Sequence, residues 1–381
     1  MVHSPPRIAI NAQLLAPRGA GGYRSAGIHT YIEQSLRHLP EAGPDLHLTV
    51  FTSHPPDGLP SSLQLRTSRW PTERPVLRIL WEQIVQPQAA RQVGADLLHA
   101  MAFVAPLLRP CPTVVTVYDL SFALFPQYFR GFNQAYLRFG TRASVKRARR
   151  VIAISDHTRR DVARLYAVPI ERIDVAYPGV NPALKPSEPA VIARFRHEKN
   201  LPEKYLLFLG TLEPRKNLVM LIDAFARFKR QCPEATLILA GGVGWLAREI
   251  FDAARASGVG DSIRLPGFVP AQEKALWYAA ATAFVYPSTY EGFGLPPLEA
   301  MACGTPVITS NAASLPEVVA DAGVSIGPAD PGGWAAALGR VWNDPIYRAE
   351  LRDRGLAQSK KFTWLETARQ TIAVYRHALR S

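Results

Sequence analysis

The sequence predicts an α/β protein made of two doubly wound domains, each a parallel sheet with helices on both faces. Three observations carry that prediction. The 381 residues are 48% hydrophobic, and single cores stop growing well before this length, so two cores are expected. Short β-branched runs alternate with longer amphipathic stretches along the whole chain. Near the middle, the proline-rich stretch Pro178–Pro202, "PGVNPALKPSEPAVIARFRHEKNLP", interrupts the rhythm and reads as a linker.

In the first half the expected strands are "RIAINAQLL" from Arg7, "LHLTVFTS" from Leu46, "ADLLHAM" from Ala95, "TVVTVYDL" from Thr113, "RVIAIS" from Arg150 and "IDVAYPGV" from Ile173. In the second they are "YLLFLGT" from Tyr205, "TLILAG" from Thr236, "IRLPGF" from Ile263, "AFVYPS" from Ala283, "PVITS" from Pro306 and "GVSI" from Gly323. Nearly all of the second set is followed by a helical pattern, as in "KNLVMLIDAFARFKRQ", where Leu218, Leu221, Ile222, Phe225 and Phe228 recur at helical spacing. Continuous apolar strands bounded by helices belong to parallel sheets covered on both faces.

Composition narrows the functions. The formal net charge is +13, and it is uneven: residues 1–178 hold 21 Lys and Arg against 12 Asp and Glu, while residues 179–381 hold 23 against 19. The first half therefore suits an anionic partner such as a phosphorylated ligand or a lipid surface. No nucleic-acid-binding motif appears, so nucleic acid is not expected. Cys111, Cys232 and Cys303 lie far apart in no paired pattern, which argues against a disulfide framework or zinc site and for a reducing, cytoplasmic setting. The start has Pro5 and Pro6 where a secretory leader carries basic residues, and Asn11 and Gln13 break the next apolar run. No stretch approaches the roughly 18 apolar residues of a membrane helix.

Open parallel sheets bind ligands beyond the carboxyl ends of their strands, and four candidate motifs sit there. In "YEGFGLPPLEAMACGTPV", Tyr290–Val307, Pro296 and Pro297 are tolerated in a helix's first turn. Glu291 then lies on the preceding loop and Glu299 on the helix's first turns. Gly292 and Gly294 leave backbone N–H groups open to a ligand, and the helix N-terminus favours phosphate. Two carboxylates flanking an anion site suit a ligand with hydroxyls at both ends and phosphates between, a nucleotide sugar; alternatively Glu291 is a loop carboxylate and Glu299 complements the helix dipole. In "GTLEPRKN", Gly210–Asn217, adjacent Arg215 and Lys216 stand at a helix start where the dipole disfavours them. A diphosphate would explain them; two solvated surface cations are the alternative.

The third motif, "GAGGYRSAGIHTYI" from Gly19, lacks the G-x-G-x-x-G spacing of a dinucleotide fingerprint and fits a loop closing over phosphate, with Gly27 near a helix start, as well as a plain connection. The fourth is Tyr118 and Asp119 in "TVVTVYDLSF". A polar pair at a strand end would face a cleft, and Asp119 is then a sugar contact or base; equally, Asp119 is an N-cap for the segment after it.

With these motifs in view, the chain resembles retaining nucleotide-sugar glycosyltransferases of the GT-B fold, bacterial family 4, group 1. The resemblance rests on "GIHTYI", "DLLHA", "YDLSF", "GTLEPRKN", "GFVP" and the Glu–seven residues–Glu motif "EGFGLPPLE" followed by "AMACGTPVI". It implies two Rossmann-like domains, an acceptor-binding one over 1–180 and a nucleotide-sugar one over 181–361, with residues 362–381 a terminal helix crossing back to the first. Glu291 would accept hydrogen bonds from donor-sugar hydroxyls beside Gly292, Phe293 and Gly294. Leu295 would lie near the phosphates, together with Gly210 and Gly27. Glu299 would hold the ribose, and Gly267, Phe268 and Val269 would meet the base. Arg215 and Lys216 would stabilise the departing diphosphate. Relatives carry His before the aspartate where this chain has Tyr118, and neither His99 nor His157 is assumed to replace it.

The resulting expectation is a metal-independent, retaining hexosyltransferase. No Asp-x-Asp occurs in the chain, and Arg215 with Lys216 can neutralise the leaving group, so neither metal nor cofactor is expected. The resemblance leans toward mannose carried by GDP-mannose and toward a glycan or lipid-linked acceptor. A GT-B phosphorylase or epimerase, a sugar-nucleotide-binding protein without turnover and a nicotinamide oxidoreductase are the other readings. Finally, from Phe122 to Arg150 a row of aromatics precedes Lys146, Arg147, Arg149 and Arg150. Either this basic amphipathic segment lies on an anionic membrane, making the protein peripheral at its inner face, or the aromatics are core and the cations a solvated face.

Overall fold

A computed structural model describes residues 4–15, 27–128 and 131–380. The chain divides into two compact units, one formed by residues up to 179 together with those from 363 onward, the other by residues 180–362.

The first unit holds strands β1 (Arg7–Asn11), β2 (His47–Thr52), β3 (Gln64–Thr67), β4 (Leu97–Ala100), β5 (Thr113–Val117), β6 (Arg150–Ala153) and β7 (Ile173–Val175). They form one sheet in the order β3-β2-β1-β4-β5-β6-β7, with every ladder parallel. All residues of β4, β5 and β6 are buried, as expected of central strands covered on both faces. β3 is the strand the sequence pattern does not reveal. All four of its residues are exposed at the sheet edge, so no apolar periodicity marks it. The last helix, Trp364–Arg380, packs against the helix Gly27–Ala42 of this unit. It is fastened to the segment after β7: Thr367 donates to the Tyr177 carbonyl (2.5 Å) and the Tyr177 N–H donates to Gln370 (3.1 Å).

The second unit holds β8 (Leu206–Leu209), β9 (Leu237–Ala240), β10 (Ile263–Gly267), β11 (Ala283–Tyr286), β12 (Val307–Ser310) and β13 (Val324–Ile326). Their order is β10-β9-β8-β11-β12-β13, again all parallel. The helix Leu218–Lys229 buries the stripe Leu218, Leu221, Ile222, Phe225 and Phe228 that the sequence spacing marks. Two doubly wound, Rossmann-like parallel sheets are thus present, as the sequence predicts.

In the second sheet the order runs outward from β8 in one direction and from β11 in the other, so β8 and β11 are neighbours at the point where the connections change sides. Loops leaving their carboxyl ends diverge and leave room for a ligand. Close backbone approach shapes this edge. The Gly241 N–H donates to the Gly267 carbonyl (2.7 Å) and the Gly210 N–H to Ala240 (3.0 Å). Gly241 has φ +138°, and a Cβ there would lie 1.9 Å from the Gly210 carbonyl oxygen. Gly241→Ala therefore meets both backbone strain and an immovable neighbour, and it should lower unfolding stability by roughly 3 kcal/mol or more in denaturant titration. A loss well under 1 kcal/mol would show that this edge is not packed as described.

Candidate functional site

The chemistry gathers where the loops after β8 and β11 meet. After β8 the chain runs through Glu213 into a 3₁₀ turn, Pro214–Lys216, and then into the helix Leu218–Lys229. Pro214 suits the first position of that turn. Asn217 links turn to helix at φ 57°, in the left-handed region that asparagine tolerates, and its side-chain amide donates to the Pro328 carbonyl (2.7 Å). After β11 the chain forms the loop 287–294 and then the helix Leu295–Ala302, with two prolines in its first turn, close to the start that the sequence implies. Gly294 caps it at φ 116°, and a Cβ there would press on Leu315 at 2.8 Å.

Glu291 is the centre of the site. Its Oε1 accepts from Lys216 Nζ (2.5 Å), the Ser288 hydroxyl (2.6 Å) and the Tyr286 hydroxyl (3.1 Å), and Oε2 from Arg215 Nη1 (3.2 Å). Lys216 also donates to the Tyr286 oxygen (2.7 Å). That leaves the third ammonium hydrogen without a protein partner among the described residues. Arg215 is gripped from its other side by Glu213, which accepts from Nε (3.2 Å) and Nη2 (2.8 Å) through one oxygen. Nη1 also donates to the Tyr290 carbonyl (2.8 Å). Lys216, Glu213 and Glu291 are 6%, 1% and 8% exposed, so water screens this cluster little. Burial pushes the Glu291 carboxyl up, but Arg215 and Lys216 outweigh it and hold the pKa at about 2. The cluster is thus two cations balanced by two carboxylates.

Backbone contacts fix both loops. The Thr289 N–H donates to the Arg215 carbonyl (2.9 Å). Ser314 Oγ lies 2.9 and 2.6 Å from the carbonyl oxygens of Glu291 and Phe293. Phe293 is buried, with its ring edge-on to Phe362, so that residue offers a ligand only its backbone. Glu299, on the same helix as Leu295, accepts from Lys274 Nζ (2.8 and 2.6 Å) and from the Tyr278 hydroxyl (2.8 Å). At the end of β10, Gly267 has φ 84° with open space where a Cβ would be, Phe268 is exposed and Val269 buried.

The structure therefore brings Arg215, Lys216 and Glu291 into one hydrogen-bonded cluster and seats Glu299 in a second. Sequence reasoning missed Glu213, Tyr286, Ser288, Ser314, Lys274 and Tyr278. Position at or just after a strand end was the available signal for Glu213, Tyr286 and Ser288; nothing local marked the others.

In the first unit the expectation that Tyr118 faces a cleft needs correction. Tyr118 does not project a free hydroxyl from the end of β5. It is 4% exposed and donates to the Met101 carbonyl (2.6 Å), with its ring edge-on to Tyr31 and Phe103. Burial pushes its pKa well up, and packing of the ring outweighs any gain from exposing the hydroxyl. Asp119 is not the N-cap of the short helix Ser121–Leu124, a position held by Leu120; its Oδ1 accepts the Ser121 N–H (2.9 Å) and hydroxyl (2.6 Å) from just before it. His99 is buried between the Tyr375 and Thr116 hydroxyls (2.6 and 2.8 Å), and burial draws its pKa down to about 3, so it is a neutral core residue. Gly27 is the first residue of its helix; the rest of the glycine-bearing loop, 19–26, lies outside the described residues. In the Phe122–Arg150 segment Phe122 is core, Phe139 is 67% exposed, and Arg150 is paired with Asp174 rather than solvated. The side chains of Tyr128, Phe129 and Phe132 lie outside the described ones. Among the described residues no helix is long and apolar enough to cross a membrane.

The two parallel-sheet units, with a cation–carboxylate cluster at the carboxyl ends of the second sheet, are those of a glycosyltransferase of the GT-B fold. Residues 25–184 match the model of Glycosyltransferase Family 4, and residues 192–358 that of Glycosyl transferases group 1. The chain is 36% identical over 293 residues to the O-antigen chain mannosyltransferase B of Escherichia coli, a match covering 76% of this chain and 77% of that one. Among solved structures, sucrose-phosphate synthase from Thermosynechococcus elongatus superposes with a TM-score of 0.77 at 24% identity, covering 98% of both chains. HepE from Anabaena, in complex with UDP and glucose, does so with 0.71 at 22%, covering 98% of this chain and 100% of that one. The chain belongs to the group 1, family 4 glycosyltransferases and is a hexosyltransferase.

Because the folded pKa of Glu291 lies below its unfolded value, its contribution to stability is present above about pH 4.5 and is lost as pH falls toward 2. Glu291→Gln should flatten the pH dependence of unfolding free energy across that window while lowering stability at neutral pH. An unchanged slope in the variant would mean that the ion cluster is not formed.

Proposed function

We propose that the protein is a retaining, metal-independent transferase that moves a hexose from a nucleotide-diphosphate sugar to a glycan or lipid-linked acceptor, with mannose from GDP-mannose as the favoured donor. One observation carries the reading: Arg215 and Lys216 converge on Glu291 at the carboxyl ends of the adjacent parallel strands β8 and β11. The likeness to a mannosyltransferase favours mannose.

In this reading the acceptor oxygen forms a bond to the anomeric carbon on the face from which the nucleoside diphosphate departs. The bond between that carbon and the phosphate oxygen breaks, and the acceptor proton passes to the departing phosphate. Arg215 and the remaining Lys216 hydrogen meet the charge that develops there, so the leaving group is neutralised by fixed cations in a dry site rather than by a metal. Glu291, held ionised, accepts hydrogen bonds from sugar hydroxyls, and Glu299 does so from the ribose. The Gly267–Val269 segment meets the base. Tyr118 has no place in the chemistry, because its hydroxyl is already bound to Met101. The setting proposed is cytoplasmic, with the protein peripheral at the inner face of the membrane where the acceptor is lipid-linked.

The test is transfer from GDP-mannose, set against UDP- and ADP-sugars, with a chelator present. Activity should survive the chelator, and Lys216→Ala or Arg215→Ala should lower turnover by about a hundredfold or more, the scale of one preorganised donor. Inhibition by chelator that magnesium or manganese reverses would refute the metal-free mechanism. Preference for another sugar nucleotide would refute the mannose assignment alone.

The two glutamates should separate. Glu291→Ala should reduce turnover while leaving affinity for the bare nucleoside diphosphate nearly intact, whereas Glu299→Ala should weaken that affinity, since ribose is present in donor and product alike. Calorimetry with the nucleoside diphosphate decides it; equal losses in the two variants would undo both roles.

A further inference from the structure

The charge excess of the first unit has an address. A cavity of about 620 Å³ is lined by Arg109, Thr113, Arg147, Arg149, Arg150 and Arg172, with Pro112 and Ala148 between them. It lies at the amino ends of β5, β6 and β7, since Pro112, Arg149 and Arg172 each immediately precede one of those parallel strands. This is the edge of the sheet opposite Tyr118 and Asp119.

One of the five guanidinium charges is cancelled inside the protein. Arg150 is paired with Asp174 through Nε (2.8 Å) and Nη2 (2.5 Å). Arg172 donates to the carbonyls of Lys146 (3.2 Å) and Ala148, and Arg109 donates to that of Ala143 (3.5 Å). These are carbonyls at the C-terminal end of the helix Gly131–Arg147 and carry no net charge. Arg147 and Arg149 have no side-chain partner among the described residues, and Arg109 Nε is buried without one. Among the described residues no carboxylate lines the cavity. Like charges gathered in a concavity repel one another more strongly than on open surface, because low-dielectric walls concentrate the field. Burial, and then the charges of Arg147 and Arg172, draw the Arg109 pKa down to about 10. Four cations arranged this way are at an energetic disadvantage that an anion would remove.

We propose that this cavity binds a multiply charged phosphoryl anion, a site distinct from the one at Glu291. Planar guanidinium forks match phosphate oxygens two at a time, and the volume falls in the range of small-molecule sites, ample for more than one phosphate. The phosphates can come from a soluble di- or polyphosphate or from clustered headgroups of an anionic lipid.

Titration calorimetry with inorganic tripolyphosphate at physiological salt tests the site. In a Lys216→Ala background, which removes a phosphate-binding cation of the other site, one tripolyphosphate per chain should still bind. Arg147→Gln/Arg149→Gln, both exposed and outside the core, should weaken binding about tenfold or more at an unchanged melting temperature, and Arg109→Gln should act in the same direction. No binding in the Lys216→Ala background, or unaltered affinity in both arginine variants, would overturn the proposal. Flotation with phosphatidylcholine vesicles containing about a quarter phosphatidylglycerol distinguishes the sources. Flotation lost in Arg147→Gln/Arg149→Gln assigns the lipid headgroup; flotation that is absent, or that this variant leaves unchanged, assigns a soluble phosphate.

Discussion

The buried contact of Glu291 with Lys216 and Arg215 is the interaction on which the site of the second unit depends. Each partner would be costly to bury alone, since an isolated charge out of water is strongly disfavoured. Together they are stable only because the two loops hold them at hydrogen-bond distance. Position and electrostatics are therefore one constraint: the loop after β8 supplies the cations, the loop after β11 the carboxylate, and Ser288, Tyr286 and Glu213 add further hydrogen bonds to them.

That constraint is set by the topology of the sheet. β8 and β11 are neighbours although β9 and β10 lie between them in sequence, so Glu213 and Arg215 on one side and Tyr286 and Glu291 on the other are brought together by crossovers. Parallel strands point all their carboxyl ends the same way, and helices begin just beyond them. The backbone is compressed at the same edge, where Gly241 approaches Gly210. The start of the helix Leu295–Ala302 and a fixed pair of cations, Arg215 and Lys216, stand at this edge. A Lys in such a place is a point donor and an Arg a fork.

The first unit uses its polar groups differently. His99, Tyr118 and Asp119 are spent on internal hydrogen bonds near the carboxyl ends of β4 and β5, while unneutralised arginines collect at the amino ends of β5 to β7. The two edges of one sheet thus carry opposite characters, one satisfied within the protein and one charged, and the uneven net charge of the chain is a local feature rather than a uniform field.

By itself the sequence determined the alternation of strand and helix, the two doubly wound units and the position of the motifs just after strands, because these rest on local periodicity and on Gly, Pro and charge placement within a few residues. It marked Arg215, Lys216, Glu291 and Glu299 as the residues to watch. Only the tertiary structure decided what each of them touches: that Glu291 is clasped by both cations, that Glu213 and Tyr286 belong to the same cluster, and that Lys274 rather than solvent faces Glu299. It also decided that Tyr118 is packed inward and that Asp119 bonds Ser121, neither of which the strand-end pattern specified, and it revealed β3, an edge strand with no buried face to leave a periodic trace. The physical reason is range. Periodicity and turn chemistry act between residues close in sequence, whereas burial and charge pairing act between residues that parallel crossovers bring together from far along the chain.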